Sequence, residues 1–491
     1  MTEPLKENQE KYICIEWQPN KNSKIPMYKQ IIEYFCNKVS TGDWAVGSKL
    51  PAQREMAKIF GVNRSTIVSA MEELLSYGMI EAAYGGGTRI ASNTWSLLMS
   101  SPPDWNKYIS SGPFIANVPT IQVINKLEFD EKYIRLGTGE ISPELFPKDM
   151  MKDVFNALPD RISSLNYLGP LGLPELQESI SKRLMKNGID AKPSNILITS
   201  GSLQALQLIS VCMLKPGATV YTEAPTYLKS LQIFQSAGIN FKGVPMDKRG
   251  IMYWKIEKVL NGSLLYTIPT HHNPTGTIMT SERRKEVFDF CSNHRLPILE
   301  DDAYGELGFD GEKTPLPIKS IDNNGMILYT GTISKTLAPG LRIGWLVGPE
   351  SVVNRLGDVK MQMDYGASSL SQWALTEIFE SGAYDDYLIK LRSELKERRD
   401  IALAALDKHF SDIAEWNTPT GGFYIWVHIK SKIPSEKLFR EALDKNILLN
   451  PGNIYDYKEN KSIRLSYSYA NKKDLEKGIE ILGNIIKDFD K

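Results

Sequence analysis

The sequence predicts an α/β protein, a mostly parallel sheet flanked by helices, preceded by a small helix-turn-helix domain with a β-wing. Three observations lead there. From about residue 131 onward, short apolar runs alternate with amphipathic helical patterns: "NILITS" before "SLQALQLISVCML", "ATVYTE" before "TYLKSLQIFQSAG", "SLLYTIPT" before "SERRKEVFDFCSNH". Such strand–helix repetition builds a parallel sheet covered on both faces. Near the start, "LPAQREMAKIFGVNRSTIVSAMEELLSYGMI" holds two short helical patterns meeting at a glycine. Finally, 491 residues exceed one ordinary domain, and 42% hydrophobic with 24% charged residues supports a substantial core. The expected division is 24–92 for the small domain, 93–130 for a linker rich in Ser, Pro and Gly, and 131–491 for the large part. A smaller C-terminal domain is expected from about 390.

The small domain has readable punctuation. Pro51 suits the first turn of a helix whose inner face is Met56, Ala57 and Phe60. Gly61 can stop that helix in the left-handed conformation, and Val62 plugs the turn. Asn63 then caps a second helix that turns Ile67, Met71, Leu74 and Leu75 inward. Two helices joined this tightly present the start of the second to a DNA major groove. Here those residues are Arg64, Ser65 and Thr66, with Arg54 on the preceding helix. "MIEAAYGGGTRIA" reads as strand, glycine turn and strand, a wing with Arg89 able to reach the DNA backbone. A small packing module with surface arginines is the competing reading, since 24–92 holds eight Lys and Arg against six Asp and Glu.

Composition excludes other classes. Lys+Arg and Asp+Glu are equal at 58, so any nucleic-acid surface must be local. Cys14, Cys36, Cys212 and Cys291 form no C-x-x-C pair, and the five histidines lack metal-ligand spacing, so no metal is expected. The acidic, polar "MTEPLKENQEKYICIEW" lacks the apolar segment of a secretory signal, and no apolar run approaches a membrane span. The expected location is cytoplasmic, with no membrane partner.

In the large part, "TISKTLAPGLRIGW" sets Lys335 among apolar neighbours, with Thr332 and Arg342 close by. Such an amine is either a solvated loop lysine or one held for chemistry. Pyridoxal 5'-phosphate would need a lysine for its aldehyde, a carboxylate for its ring nitrogen, a donor for its 3'-oxygen, and a cation with hydroxyls for its phosphate. "ILEDDAYGEL" offers Asp301 and Tyr304 after a strand, and "TIPTHHNPTG" offers Asn273. "ITSGSLQAL" makes a strand, a Gly201–Ser202 turn and a helix start suited to an anion, and "TEAPTYLKSL" offers the flat ring of Tyr227. Each alone also reads as ordinary capping or turn chemistry.

Residues 27–91, from "MYKQIIEYF" to "GGGTRIA", resemble the winged helix-turn-helix of GntR-type regulators, with "G-x-x-LP-x-x-R-x-x-A", "GV-x-R-x-T" and "GGGT" in order. The chain from "IRLGTGE" to its end resembles fold-type I, pyridoxal-phosphate-dependent aminotransferases. That resemblance implies Lys335 as the Schiff-base lysine, Asp301 as the ring-nitrogen partner, and Tyr304 and Asn273 as 3'-oxygen donors. It further implies that Gly201, Ser202, Thr332 and Arg342 hold the phosphate, that Tyr227 stacks, and that Tyr167 of "NYLGPLGLPELQESI" reaches the phosphate of a partner subunit in a homodimer. Arg464 of "SIRLSYS" would grip a carboxylate, with Gly139 on the effector side. The fusion is similar to MocR-type transcriptional regulators. This implies a dimer on double-stranded operator DNA that senses an amino acid or related amine by transaldimination. A working aminotransferase, or a sensor of pyridoxal phosphate alone, are the alternatives.

Overall fold

The computed structural model describes residues 13–83, 87–91, 105–311, 313–458 and 461–491. The chain divides into two compact units, 1–113 and 114–491, each described by itself.

In the first unit, α1 (Met27–Ser40), α2 (Gln53–Phe60) and α3 (Arg64–Ser76) pack around Phe35, Met56, Phe60, Ile67, Met71 and Leu74. Gly61 ends α2 with φ 63°, as its lack of a side chain allows, and Asn63 occupies the N-cap of α3. The wing strands β1 (Ile80–Ala83) and β2 (Gly87–Ile90) pair antiparallel, Glu81 opposite Arg89. The wing's turn, 84–86, and the stretch 92–104 with Trp95, lie outside the described residues. Three expectations are corrected. Pro51 precedes the helix, which begins at Gln53. Leu75 is 42% exposed, because it follows Leu74 by one residue and so turns off the inward stripe. The small domain also begins before residue 24: Ile15 is buried in its core and Trp17 stacks on Tyr34 at 4.7 Å.

The strands of the second unit begin with β3 (Ile134–Arg135), followed by β4 (Ile196–Thr199), β5 (Thr219–Ala224), β6 (Asn240–Asp247), β7 (Gly250–Ile251), β8 (Leu264–Thr267), β9 (Ile298–Asp301), β10 (Ile327–Thr332) and β11 (Gly344–Val347). Among the described residues β4 to β11 form one sheet in the order β4-β11-β10-β9-β8-β5-β6-β7. The strands β10, β9, β8, β5 and β6 pair parallel, while β11 runs antiparallel between β10 and β4. Two edge-side reversals in an otherwise parallel sheet match the expected architecture. Every residue of β4, β8, β9, β10 and β11 is buried, which is why these strands read as continuous apolar runs.

A second sheet holds β12 (Ala414–Trp416), β13 (Tyr424–Ile429), β15 (Asn450–Pro451) and β16 (Ser462–Ser466), in the order β12-β13-β16-β15, all antiparallel; β14 (Ile447–Leu448) instead pairs with β3. Helices Ala383–Phe410 and Lys472–Asp490 flank it. Two sequence expectations differ here. "TYLKSLQIFQSAG" forms only the 3-10 turn Tyr227–Ser230 and the four-residue helix Ile233–Ser236, before Gly238 turns the chain at φ 75°. Within the expected linker, Pro119–Leu127 is a helix that buries Ile121 and Ile124 in the large core.

Parallel strand direction fixes where the chemistry gathers. Because β4, β5, β8, β9 and β10 point the same way, the segments after them all emerge at one carboxyl edge, where open α/β sheets bind ligands.

Candidate functional site

At that edge lies a cavity of about 330 Å³ lined by Lys335, Asp301, Tyr304, Asn273, Tyr227 and Ser202, with Arg464 and Gly139 from the other side. Eight of the residues expected from the sequence therefore face one space.

Asp301 closes β9 with 4% exposure. Its Oδ2 accepts from the Tyr266 hydroxyl at 2.7 Å, whereas its Oδ1 is buried without a partner. Burial raises this carboxyl from 3.8 to about 6, with the Tyr266 hydrogen bond and the Lys335 charge pulling the other way. Lys335 reaches the cavity from the turn after β10 and donates from Nζ to the Gly139 carbonyl at 2.7 Å. A Cβ at Gly139 would strike the Tyr424 hydroxyl, so only glycine keeps this wall open.

Arg464, 6% exposed on β16, donates to Asn273 Oδ1 at 2.8 Å and to the Gly137 carbonyl at 2.6 Å. Its guanidinium lies over the Tyr424 ring at 4.3 Å and the Tyr455 ring at 4.8 Å. Its Nε is buried without a partner, and no carboxylate pairs with it among the described residues. A buried cation held by neutral groups is arranged to receive an anion. Tyr304 shares a 2.9 Å hydrogen bond with Tyr424, and Asn273 Nδ2 stands 3.5 Å from the Tyr304 hydroxyl, leaving these groups as a polar rim.

The anion cradle sits beside Ser202. Gly201, at φ 86°, is the N-cap of helix Ser202–Cys212, and a Cβ there would stand 3.0 Å from Arg342 Nη2. Arg342, itself left-handed at φ 55°, donates to the Ser200 carbonyl at 2.9 Å. The backbone N–H groups of a helix start and an adjacent guanidinium suit phosphate. Gly201, Thr332 and Arg342 do not line the cavity itself, and Thr332 Oγ1 is engaged with Ser334 Oγ and the Ile343 carbonyl, each at 3.0 Å. Tyr167 is elsewhere, 80% exposed and packed against Tyr365 at 4.8 Å.

Several participants escaped the sequence reading. Tyr266 and Glu223 sit inside strands, Asn450 on β15 of the second sheet, and Tyr455 just after the 3-10 turn Gly452–Ile454 that follows it. Glu223 is fully buried behind the site; it accepts from the Thr267 hydroxyl and the Ile268 N–H, while its Oε2 has no hydrogen bond and lies 3.9 Å from His272. Burial lifts Glu223 to about 7 and drops His272 to about 3, so the histidine offers no countercharge. Only the polar tips of Tyr266 and Glu223 within those strands could have flagged them.

In the first unit, Arg54 is exposed at the start of α2, and at the start of α3 Arg64 and Ser65 are exposed and Thr66 is half-buried. Arg89 donates to the Gly47 carbonyl at 3.0 Å. The described residues contain no group that could hold a metal ion, and no helix among them is long and apolar enough to cross a membrane.

Residues 131–482 match the family model "Aminotransferase class I and II", and residues 27–90 match "Bacterial regulatory proteins, gntR family". A Bacillus subtilis protein described as the uncharacterized HTH-type transcriptional regulator YisV is 49% identical over 95% of this chain and 97% of its own. The HTH-type transcriptional regulator NorG of Staphylococcus aureus is 34% identical over 89% of this chain and 99% of its own. Among solved structures, a kynurenine aminotransferase of Pyrococcus horikoshii, in complex with PMP and substrates, superimposes with a TM-score of 0.72 and 32% identity, over 77% of this chain and 96% of its own. An archaeal alanine:glyoxylate aminotransferase gives 0.73 and 30%, over 79% of this chain and 100% of its own.

Proposed function

The chain belongs to the aminotransferase class I and II family and carries a regulatory head of the gntR family, and from that premise we propose that it is a DNA-binding transcriptional regulator. In this reading the large unit holds pyridoxal 5'-phosphate through Lys335 and responds to an amino acid or related amine. One observation carries it: a lysine amine, an unpartnered buried carboxylate oxygen and a buried arginine without a carboxylate line the same cavity.

The residues fit that cofactor. The vacant Oδ1 of Asp301 is an acceptor waiting for a ring N–H, and the missing Cβ of Gly201 beside Arg342 leaves space for an anion. Bound pyridoxal phosphate supplies an aldehyde carbon that amines can engage and a ring that withdraws electrons from it. The chain's own residues do the rest. Asp301, fixed by Tyr266, would keep a proton on the ring nitrogen. Tyr304 and Asn273 would donate to the 3'-oxygen, Tyr227 would stack, and Gly201, Ser202 and Arg342 would hold the phosphate, while Thr332, its hydroxyl engaged by Ser334 and the Ile343 carbonyl, would fix the turn that carries Lys335. Arg464, pre-aimed by Asn273 and the Gly137 carbonyl, would seat a carboxylate on the incoming amine. Lys335, when its amine is free, can take a proton or return it from its place beside Gly139.

Arg54, Arg64, Ser65 and Thr66 would contact the operator, with Arg89 on its phosphates. The exposed Tyr167 would complete the phosphate site of a partner subunit, giving a homodimer. DNA as the partner makes the cytoplasm its place of action. For regulation, the amine must favour one arrangement of the dimer by a few kcal/mol. The set Lys335, Asp301 and Arg464 in one cavity also favours a second reading, an active aminotransferase.

The test is the visible absorption of the purified protein, and its operator affinity at fixed salt, while amines are added. A band that shifts with one amine and persists, with altered operator affinity, supports the regulator. A band lost to one amine and restored by a keto acid over many turnovers supports the enzyme. No band after adding cofactor overturns both.

A further inference from the structure

The charges of the cavity do not balance once its groups are given their work. Besides Lys335, Arg464 and Asp301, its lining includes two further carboxylates, Glu128 and Glu140. Both are half-buried, and neither has a side-chain hydrogen bond or ion pair among the described residues. Glu128 follows the helix Pro119–Leu127, and Glu140 follows Gly139, whose carbonyl receives Lys335. The carboxylates act on each other: burial first, then the field of Glu140, raises the proton affinity of Glu128. Arg135, Lys335 and Arg464 pull the other way on Glu128 without pairing with it; the Arg135 guanidinium keeps its charge but donates to the Tyr469 hydroxyl at 2.6 Å and lies over that ring at 4.7 Å.

With Lys335 and Asp301 engaged by the cofactor and Arg464 by a ligand carboxylate, Glu128 and Glu140 are left facing a confined space without an ion pair among the described residues, Arg135 acting on Glu128 only at a distance. Half-buried like charges without a directly paired cation are costly, and a ligand that brings one reduces that cost. Ile121 and Ile124, buried on the same helix, and Ile454 line the cavity alongside them and offer an apolar wall for an aliphatic stem. Two nine-tenths-buried polar groups with vacant atoms, Asp301 Oδ1 and Arg464 Nε, independently mark this cavity as built for a ligand.

We propose that the effector is an α-amino acid whose side chain is an aliphatic stem ending in a cationic nitrogen, its carboxylate on Arg464 and its distal cation between Glu128 and Glu140. This rests on the reading of the cavity as the pyridoxal-phosphate site. It excludes acidic side chains, which would meet two carboxylates, and disfavours neutral ones, which leave both unpaired.

The experiment titrates the full-length, cofactor-loaded protein with L-lysine, L-ornithine, L-arginine, L-norleucine and L-glutamate, reading visible absorption and operator affinity. L-norleucine matches the stem of L-lysine but lacks the ammonium. The expected result is a half-saturating concentration about 10- to 100-fold lower for a basic amino acid than for L-norleucine, as for a partly desolvated charge-assisted contact. Glu128→Gln and Glu140→Gln should each shrink that ratio while still binding the cofactor. Equal response to L-lysine and L-norleucine, or a stronger response to L-glutamate, overturns the inference and leaves the cofactor reading standing. Absence of any cofactor band overturns both.

Discussion

Tyr266→Phe isolates one contact at the heart of the site. The phenol donates to Asp301 Oδ2 at 2.7 Å, and the ring is fully buried, so phenylalanine removes the hydroxyl without opening a cavity. A hydrogen bond to a charged group contributes about 1.5–3 kcal/mol, which is about one to two pH units at roughly 1.36 kcal/mol each. Asp301, already lifted by burial to about 6, would then titrate higher still. At pH 7 the ionised fraction falls, so affinity for pyridoxal phosphate should weaken about two- to tenfold relative to the parent. At pH 9 both proteins have an ionised Asp301, and the ratio should return toward one. The assay is a spectroscopic cofactor titration of both proteins at several values between about pH 6.5 and 9, with thermal unfolding alongside. Taking the ratio at each pH cancels the cofactor's own titration. A ratio that stays flat across this range would refute the role given to the Tyr266–Asp301 pair.

Three further outcomes are expected. Lys335→Ala should lose the visible cofactor band yet retain at least part of its operator binding; a parental band in that variant would remove Lys335 from its assigned role. Arg64→Ala should weaken operator binding at fixed salt and, where the contact is to phosphate, lower the salt slope by about one, with cofactor content unchanged; a gel-shift or anisotropy titration indistinguishable from the parent would exclude Arg64. Glu223→Gln should flatten the pH dependence of stability. Because Glu223 rises from 4.5 to about 7 on folding, its contribution is fully present below pH 4.5 and is lost as pH rises through 7. The loss is about 3 kcal/mol, so the variant should gain on the parent between pH 5 and 8 in urea unfolding, and equal slopes would contradict the assignment.

Legibility in the sequence followed burial. Asp301 ends an apolar strand and Lys335, Tyr304 and Asn273 follow one, where a polar residue breaks an otherwise monotonous run, and the structure gathers them in one cavity. Arg464 was legible only through family resemblance, since it sits inside a strand. Tyr266 and Glu223 were hidden because a fully buried strand shows no alternation to mark which side chain points toward a site. Helix Pro119–Leu127 was masked by the Ser, Pro and Gly around it. Its two buried isoleucines are three apart, too short a pattern to separate from a linker, and it was this helix that put Glu128 at the cavity. Thr332, expected to contact the phosphate, instead spends its hydroxyl on Ser334 and the Ile343 carbonyl and lies off the cavity.

The vacant oxygen of Asp301 has a consequence beyond recognition. An ionised carboxylate with one unmet acceptor lowers the stability of the empty fold, and a bound group that meets it shifts the folding balance by mass action. Newly made chains that have not acquired the cofactor would then open more often and meet proteases more readily than loaded ones. The cell's supply of the vitamin would thereby set how many copies persist, before any effector arrives. Pulse-chase turnover in cofactor-starved and replete cells would display this as a difference in half-life that Asp301→Asn narrows.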